Sequence, residues 1–246
     1  MKKDEEPIKG YDFKLKKEEI KKIFNTPDYQ EYKEKKKKTQ KRKENIYKFT
    51  SIGNSTNTVR NLIILNVFFF ILSYIIPSMF TYFASYNIMS PNFGIWQPFT
   101  SMFLHGGFIH LALNMFVLWS FGNQTEEVLG LKKFLTLYFL SGIISGIFCM
   151  FFGAGPAVGA SGALCGLMAA YVFIAPESTV LLFFIIPIKI KNCVYGFAVF
   201  SLVFGILSLI DSSLGFGIAH FGHLGGLVGG YLLTYYWKRN NLIQTF

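Results

Sequence analysis

The sequence predicts an all-α membrane protein: a bundle of six transmembrane helices with both termini in the cytoplasm and a polar, basic N-terminal tail. Three observations predict it. Of the 246 residues, 52% are apolar and 18% are aromatic, which is more than a soluble domain of this length carries. The apolar residues gather into six segments, and Lys and Arg fall in alternate connections between them. We expect a tail over residues 1–58, a membrane domain over 59–239 and a short cytosolic tail over 240–246.

The N-terminal tail holds most of the formal charge of +10. Residues 1–60 carry 18 Lys and Arg against 10 Asp and Glu, whereas residues 61–246 carry 6 against 4. No apolar stretch follows the first lysines, so a secretory signal is not expected, and the acidic residues disfavour a mitochondrial transit peptide. These features favour a bacterial plasma membrane. Basic runs beside a span also attract anionic lipid head groups. No nucleic-acid reading motif accompanies the charge.

The body of the chain divides into six predicted spans and two uncharged or apolar connections. The spans cover about residues 61–83, 108–124, 134–152, 161–175, 192–210 and 219–237. Residues 84–107 carry no charge but contain Trp, Pro and Gly, which indicates a segment in the membrane interface. The apolar run 180–186 is too short to cross and stops at Pro187, so residues 176–191 are predicted to form an interfacial loop.

Orientation follows from the basic residues of the connections. These residues lie in the N-terminal tail and at three further places: Lys132 with Lys133, Lys189 with Lys191, and Lys238 with Arg239. Because these clusters lie in alternate connections, the positive-inside rule places both termini in the cytoplasm. The connections 84–107, 153–160 and 211–218 are then expected to face outward.

A serine between glycines opens the fourth span. Gly159 and Gly162 can hold Ser161 on a tight turn at a helix N-terminus, where backbone amides are free. The span has only 15 residues, about 22 Å at 1.5 Å per residue, so Ser161 is expected below the membrane surface. Irregular backbone at that depth is tolerated where it lines a wet cavity. The sequence therefore predicts a water-filled pit with Ser161 at its floor.

Small residues every fourth position predict close packing of the fourth and sixth spans. The two ridges are Gly162, Gly166 and Ala170 on one helix, and Gly222, Gly226 and Gly230 on the other. Their contact would bring His223 near Ser161. A serine hydroxyl needs a base to become a nucleophile, and histidine is the usual one.

His110 and Asn114 are spaced i, i+4, so both project from one face of the second span. Two neutral donors directed into the pit can stabilise an oxyanion together with the Ser161 amide. The alternative for these polar side chains is a hydrogen bond between helices. The acidic residues of the body all lie at span edges, at Glu126, Glu127, Glu177 and Asp211. No carboxylate is therefore expected beside His223, and a Ser-His dyad is predicted.

Three motifs occur in order on the predicted spans. They are His110-x-x-x-Asn114, Gly159-x-Ser161-Gly162 and His223-x-x-Gly226-x-x-x-Gly230, with Trp96, His105, Glu126 and Gly130 at further matching positions. Over roughly residues 62–236 the chain resembles the rhomboid family of intramembrane serine proteases. The resemblance implies a Ser161/His223 dyad that cleaves single-span membrane proteins within the lipid bilayer, without cofactor or metal. It also implies an oxyanion hole of His110, Asn114 and the Ser161 amide.

One position departs from the family pattern, and two further histidines are distinguished from the catalytic one. Gln97 stands where many members carry Arg, which bears on how the first outer loop is anchored. His220, three residues before His223, lacks the glycines that follow a catalytic histidine, and His105 is implied only in a supporting role.

Two other functions compete with this interpretation. Four histidines, at positions 105, 110, 220 and 223, could ligate zinc in a metalloprotease or transporter, but no H-E-x-x-H motif occurs. The chain could also be an inactive rhomboid-like protein that binds transmembrane helices, although both the serine and the histidine are present. Cys149, Cys165 and Cys193 have no metal-ligand spacing and are interpreted as small apolar residues. The physiological substrate and the oligomeric state are not indicated.

Overall fold

The computed structural model describes residues 25–37, 57–153, 155–182 and 185–243. The chain forms two units, Met1–Ile52 and Gly53–Phe246, which are considered separately. In the first, residues 27–37 form an exposed helix, α1, and the Tyr29 amide donates to the Thr26 hydroxyl at its start. The rest of the predicted N-terminal tail up to residue 56 lies outside the described residues, as do residues 244–246.

Among the described residues of the second unit, helices predominate and two short strands form a hairpin. Its helices are α2 (Asn57–Ile75), α3 (Ser78–Phe83), α4 (Gln97–Thr100), α5 (Phe108–Leu129), α6 (Leu131–Phe152), α7 (Ser161–Ile174), α8 (Ile190–Ile210) and α9 (His220–Arg239). Short 3₁₀ helices lie at Ser101–Phe103 and Ser212–Gly215. Strands β1 (Thr179–Leu182) and β2 (Ile186–Lys189) form the hairpin.

Three of these helices, α2, α6 and α8, are long and apolar enough to cross a membrane. The α4 segment, Gln97–Phe103, and α5 pass the same test together as a pair bent by 96°, which gives up to four. Helix α7 has only 14 residues, and the glycine-rich α9 is not among the apolar candidates. These features agree with an integral, all-α membrane protein, while six crossings and the orientation of the termini stay predictions.

The first apolar segment is divided, contrary to the single predicted span over 61–83. Helix α2 begins four residues earlier, at Asn57, and ends at Ile75, and α3 starts after Pro77. The last backbone bond before the break joins the Ile76 amide to the Leu72 carbonyl, 2.9 Å apart. Proline has no amide proton and its ring obstructs the preceding turn, so the helix cannot continue through this position.

A hairpin replaces the loop predicted over 176–191. Strands β1 and β2 are antiparallel, with Thr179 opposite Lys189. Pro187 is accommodated because a two-stranded hairpin leaves half of its amides without a ladder partner. At its base Glu177 forms ion pairs with Lys189 and Lys191. Hydrogen bonds from the two ammonium groups, first from Lys189, lower the pKa of Glu177 to about 2.

Helix α7 lies at the centre of the unit and packs against α5, α6, α8 and α9. Most of its side chains are buried, including Leu164, Leu167 and Tyr171. The outer helices differ: α8 is the least buried of the three long apolar helices and exposes a broad apolar surface. In a membrane protein such a surface faces lipid, because it costs no exposure of apolar groups to water.

Candidate active site

Ser161 is the first residue of α7 and sits directly after a sharp turn. Gly159 has φ +119°, and its amide donates to the Ser101 carbonyl over 2.9 Å. A Cβ built on Gly159 would lie 2.8 Å from the His110 ring. Only glycine avoids both the strained dihedral and this collision. The turn therefore leaves Ser161 at a helix N-terminus, whose first amides have no partner within the helix.

His223 lies in the first turn of α9, and its Nε2 is 2.9 Å from the Ser161 Oγ. This distance allows the serine hydroxyl to donate its proton to the ring. The other ring nitrogen, Nδ1, is buried and has no hydrogen-bond partner among the residues that the structure describes. The ring also packs on Phe197 of α8, with centroids 5.4 Å apart. The structure thus brings together the two residues that the sequence singled out, and no described carboxylate contacts the ring.

Backbone contacts at glycines set the distance between α7 and α9. A Cβ on Gly226 would overlap the Gly162 carbonyl, and one on Gly230 would overlap the Gly166 carbonyl. The two helices therefore approach as closely as their backbones permit. Because Gly226 is three residues after His223 on the same helix, this contact also fixes the position of His223 along the axis of α9 relative to Ser161.

The predicted pairing of two ridges is incomplete at Gly222, which lies near Gly162 but also packs against a third helix. A Cβ at this position would meet Cys149 Sγ at 2.5 Å and Ser145 Oγ at 3.1 Å, both on α6. The glycines Gly162 and Gly166 likewise turn their hydrogen atoms toward Ser145 and Ser141. Three helices, not two, are therefore packed at small residues, because α6 fills the groove beside the contact of α7 with α9.

His110 and Asn114 both face Gly159 from α5. A Cβ on Gly159 would be 2.9 Å from His110 Nε2 and 3.8 Å from Asn114 Nδ2. The Gly106 amide donates to His110 Nδ1 over 3.4 Å, so Nε2 carries the ring proton. One Asn114 amide hydrogen is directed to the His110 carbonyl, 2.8 Å away, which leaves its second hydrogen. Two donors therefore lie beside the turn that precedes Ser161.

Ser161, His223 and His110 line one cavity of about 510 Å³. A volume of this size has room for many waters, each of which takes about 30 Å³ in the liquid. Asn114 is not among the lining residues and lies behind Gly159. A second cavity of about 20 Å³ adjoins Ser161 and is lined by Ser145 and Ser101. Its volume is sufficient for one water molecule, and the two hydroxyl groups can bind that water.

The predicted supporting residues lie outside the large cavity. Trp96 donates from Nε1 to the Tyr82 carbonyl over 3.0 Å. The neutral Gln97 is buried, donates to the Asn92 carbonyl over 2.6 Å and accepts from the Tyr86 amide over 3.2 Å. An uncharged amide thus makes contacts on both sides of the loop where many members carry Arg. His105 is buried with its ring 5.3 Å from that of His110.

One face of α6 was not identified from the sequence. Ser141, Ser145 and Cys149 contact the glycines of α7 and α9, and Cys149 lines both cavities. Cys149 is therefore not only the small apolar filler that was predicted. Their i, i+4, i+8 spacing places all three on one side of a helix, and this was the signal available. Among the described residues, no group of three or more His, Cys, Asp or Glu side chains is placed to bind a metal ion.

Comparison with known proteins agrees with the motifs. Residues 92–240 match the Rhomboid domain, a range that contains Ser161, His223, His110 and Asn114. The chain is 36% identical over 141 residues to rhomboid protease GluP of Bacillus subtilis, covering 55% of this chain and 25% of that protein. It is 32% identical over 159 residues to rhomboid-like protease 3 of Toxoplasma gondii, covering 63% and 57%.

A third relative is the human presenilin-associated rhomboid-like protein, mitochondrial, 30% identical over 205 residues, covering 76% of this chain and 50% of that protein. The chain therefore spans between about a quarter and about three-fifths of the length of these relatives. Because bacterial and mitochondrial proteins both occur among them, the expected bacterial plasma membrane receives no support. The predicted resemblance is confirmed by the domain match over more than half of the sequence, and the chain belongs to the rhomboid family.

Proposed function

We propose that the protein is an intramembrane serine endopeptidase that hydrolyses peptide bonds in or next to the transmembrane segments of single-span membrane proteins. The single observation that carries this proposal is the 2.9 Å contact between Ser161 Oγ and His223 Nε2 at the wall of a cavity large enough for water. The surrounding helices are apolar and lipid-compatible. A nucleophile and its base are therefore available where a transmembrane segment can reach them.

In the first half of the reaction, Ser161 attacks the carbonyl carbon of the scissile bond while its proton passes to His223 Nε2. The C–O bond forms, and the carbonyl oxygen becomes an oxyanion. The donors proposed for this oxygen are His110 Nε2–H and the Ser161 backbone amide, with the second Asn114 amide hydrogen beside Gly159 and outside the cavity lining. Each such donor typically contributes about 3–4 kcal/mol to transition-state stabilisation.

In the second half, His223 gives its proton to the leaving amine, and the C–N bond breaks to leave an acyl-enzyme. A water molecule then donates a proton to His223 and attacks the ester, which releases the acid product and restores the Ser161 hydroxyl. The cavity of about 510 Å³ supplies the space for this water. Serine and histidine side chains in its lining, among them Ser208 and His220, are polar groups to which water can bind inside an apolar bundle.

The dyad has no orienting carboxylate on His223 Nδ1 among the described residues. An ionised carboxylate at this depth would cost several kcal/mol of desolvation, which the fold avoids. The ring is oriented instead by its contact with Phe197 and by the glycine packing of α9 against α7. The imidazolium formed during attack then has less stabilisation than in a triad.

We further propose six membrane crossings with both termini in the cytoplasm. The basic residues Lys132 and Lys133 lie at the start of α6, Lys191 at the start of α8, and Lys238 with Arg239 at the end of α9. Their alternation supports this orientation. Single cysteines added at positions 132, 213 and 243 and probed with an impermeant thiol reagent test it. Labelling of position 213 alone from outside is expected, and labelling of position 132 from the same side would contradict the topology.

Cleavage of a model single-span substrate by the purified protein tests the activity. We expect Ser161→Ala and His223→Ala to abolish cleavage, while both variants keep the elution volume and thermal unfolding temperature of the wild type. A fluorophosphonate probe is expected to label the wild type and not the Ser161→Ala variant. A metal chelator is expected to leave cleavage unchanged.

Undiminished cleavage by Ser161→Ala would refute the proposed nucleophile. Binding of the substrate without any cleavage by the wild type would favour the alternative, a proteolytically inactive rhomboid-like protein that binds transmembrane helices.

A further inference from the structure

The reaction proposed above gives no role to His220, yet this side chain lines the same cavity as Ser161 and His223. It is the first residue of α9 and is only 2% exposed. Its Nε2 is 3.1 Å from the Gly215 carbonyl oxygen. A carbonyl can only accept a hydrogen bond, so Nε2 carries the proton and His220 is the donor.

The acceptor belongs to the 212–218 turn, which comprises the 3₁₀ helix Ser212–Gly215 and the three residues that follow it. Gly215 is the only buried residue of this turn, and its carbonyl also accepts from the Ile218 amide over 2.9 Å. Four members of the turn, Ser212, Gly215, Gly217 and Ile218, form one wall of the cavity. The position of the turn therefore decides how open the cavity is.

One residue of the turn has an unfavourable backbone conformation. Phe216 has φ +52°, a left-handed conformation that is unfavourable for a bulky residue. The amides of Leu214, Phe216 and Ile218 donate to backbone carbonyls three residues earlier, and all residues of the turn except Gly215 are exposed. The turn contacts α8 where Gly215 packs on Ser208 and where Phe216 meets Phe204, and it is hydrogen-bonded to the His220 side chain of α9 at the Gly215 carbonyl.

Aromatic rings extend the contact to α8. The His220 ring stacks on Phe204, with centroids 5.9 Å apart at 30°, and meets Phe200 edge-on at 5.6 Å. Phe204 in turn contacts Phe216 at 5.5 Å. This cluster therefore joins α8, α9 and the turn, in addition to the contact of Phe197 with His223.

We propose that His220 is a positioning residue that fastens the 212–218 turn over the cavity through its hydrogen bond to Gly215, and so controls access to Ser161. The consequence for cleavage rests on the proposed function, whereas the closure itself does not. His220 takes no part in proton transfer. It acts through the turn.

Two amide variants and one ring variant separate the hydrogen bond from the ring packing. In His220→Gln the side-chain amide reaches about as far as Nε2 and can donate to the Gly215 carbonyl. In His220→Asn the amide is about one bond too short, and in His220→Phe the ring remains but the donor is lost. Closure by hydrogen bonding predicts that only glutamine preserves the native turn. If ring packing closes the cavity instead, His220→Phe is expected to preserve the native turn.

Cys149 reports the opening of the cavity, since it lines the wall and is only 4% exposed. The experiment uses the full chain with Cys165→Ala and Cys193→Ala, so that Cys149 is the single thiol, and follows its modification by a water-soluble maleimide. Loss of one neutral hydrogen bond shifts an open–closed equilibrium by roughly two- to tenfold. We expect the labelling rate to rise by this factor in His220→Phe and His220→Asn, and to remain native in His220→Gln.

Leu214→Ala is the matched control, because this side chain belongs to the same turn but is exposed. Its labelling rate is expected to equal that of the parent. Native labelling in both His220→Phe and His220→Asn, or rapid labelling in His220→Gln, would overturn the proposal. Should the phenylalanine variant not fold, the asparagine and glutamine variants still provide the comparison.

The labelling needs no peptide cleavage and can be repeated with Ser161→Ala. A failed proposal for closure and a failed proposal for proteolysis are therefore distinguishable. If the protein cleaves a model substrate, His220→Gln is expected to restore the cleavage rate that His220→Asn changes, a rescue that a purely steric role would not produce.

Discussion

Substituting Gly226 by alanine tests whether backbone contact between α7 and α9 holds the candidate dyad together. The added methyl group would overlap the Gly162 carbonyl, so the helices must separate by at least about 1 Å to restore van der Waals contact. Overpacking of this kind costs about 1–3 kcal/mol, whereas alanine gains about 1 kcal/mol over glycine in helix propensity. The free energy of unfolding is therefore expected to fall by up to about 2 kcal/mol.

The same displacement moves His223 away from Ser161. A misplacement of about 1 Å at reacting groups typically lowers the rate about 10²-fold. The assay is cleavage of a single-span model substrate in detergent, together with thermal unfolding of the same preparations. We expect kcat/KM to fall about 10²-fold in Gly226→Ala, a larger loss than the change in stability alone would produce.

Gly196 on α8 provides the matched control, because nothing lies within 4 Å of a Cβ built there. Gly196→Ala receives the same gain in helix propensity without the collision, so its stability is expected to rise by about 1 kcal/mol with unchanged cleavage. Full activity of Gly226→Ala, or an equal loss in both variants, would refute the argument that close packing sets the geometry of the dyad.

Two further predictions concern the loops. Gln97→Ala leaves the Asn92 carbonyl and the Tyr86 amide without their side-chain partner, so the thermal unfolding temperature is expected to fall by the equivalent of about 1–3 kcal/mol. Asn92→Ala, which removes an exposed side chain but keeps its carbonyl, is the control, and an equal loss in both would contradict the role of Gln97. The lowered pKa of Glu177 means that its ion pairs with Lys189 and Lys191 contribute stability above pH 4.5, which is lost as the pH falls toward 2. The difference in unfolding temperature between the wild type and Glu177→Gln is therefore expected to be small, present at pH 7 and absent near pH 2, and a difference that grows on acidification would contradict this assignment.

Much of the helical fold was predictable because apolar segments of fixed length leave a strong pattern. The predicted spans after the first begin within about three residues of helices α5 to α9. The division of the first span at Pro77 was also readable in principle, since proline interrupts a helix. The hairpin at 179–189 was not, because a short apolar run is equally compatible with a strand, a loop or a buried helix.

The candidate site likewise contains features that the sequence predicted and features that only the structure shows. Its residue types and spacings selected Ser161, His223, His110 and Asn114, and the structure places the first two 2.9 Å apart. Their catalytic roles stay predictions. The pattern did not indicate that Gly222 also faces Cys149 on α6. A ridge of small residues predicts that a close neighbour exists, but it does not say which helix that neighbour is.

By itself, therefore, the sequence determined an apolar helical body, the glycines at which helices approach and the motifs of the rhomboid family. Each of these depends on local composition or on short spacings along one helix. Tertiary structure alone decided that Ser145 and Cys149 border the serine, that Gln97 bonds to Asn92 and Tyr86, and that His220 reaches the Gly215 carbonyl. These contacts depend on the rotation and axial offset of whole helices, which many residues fix together and no single periodicity encodes.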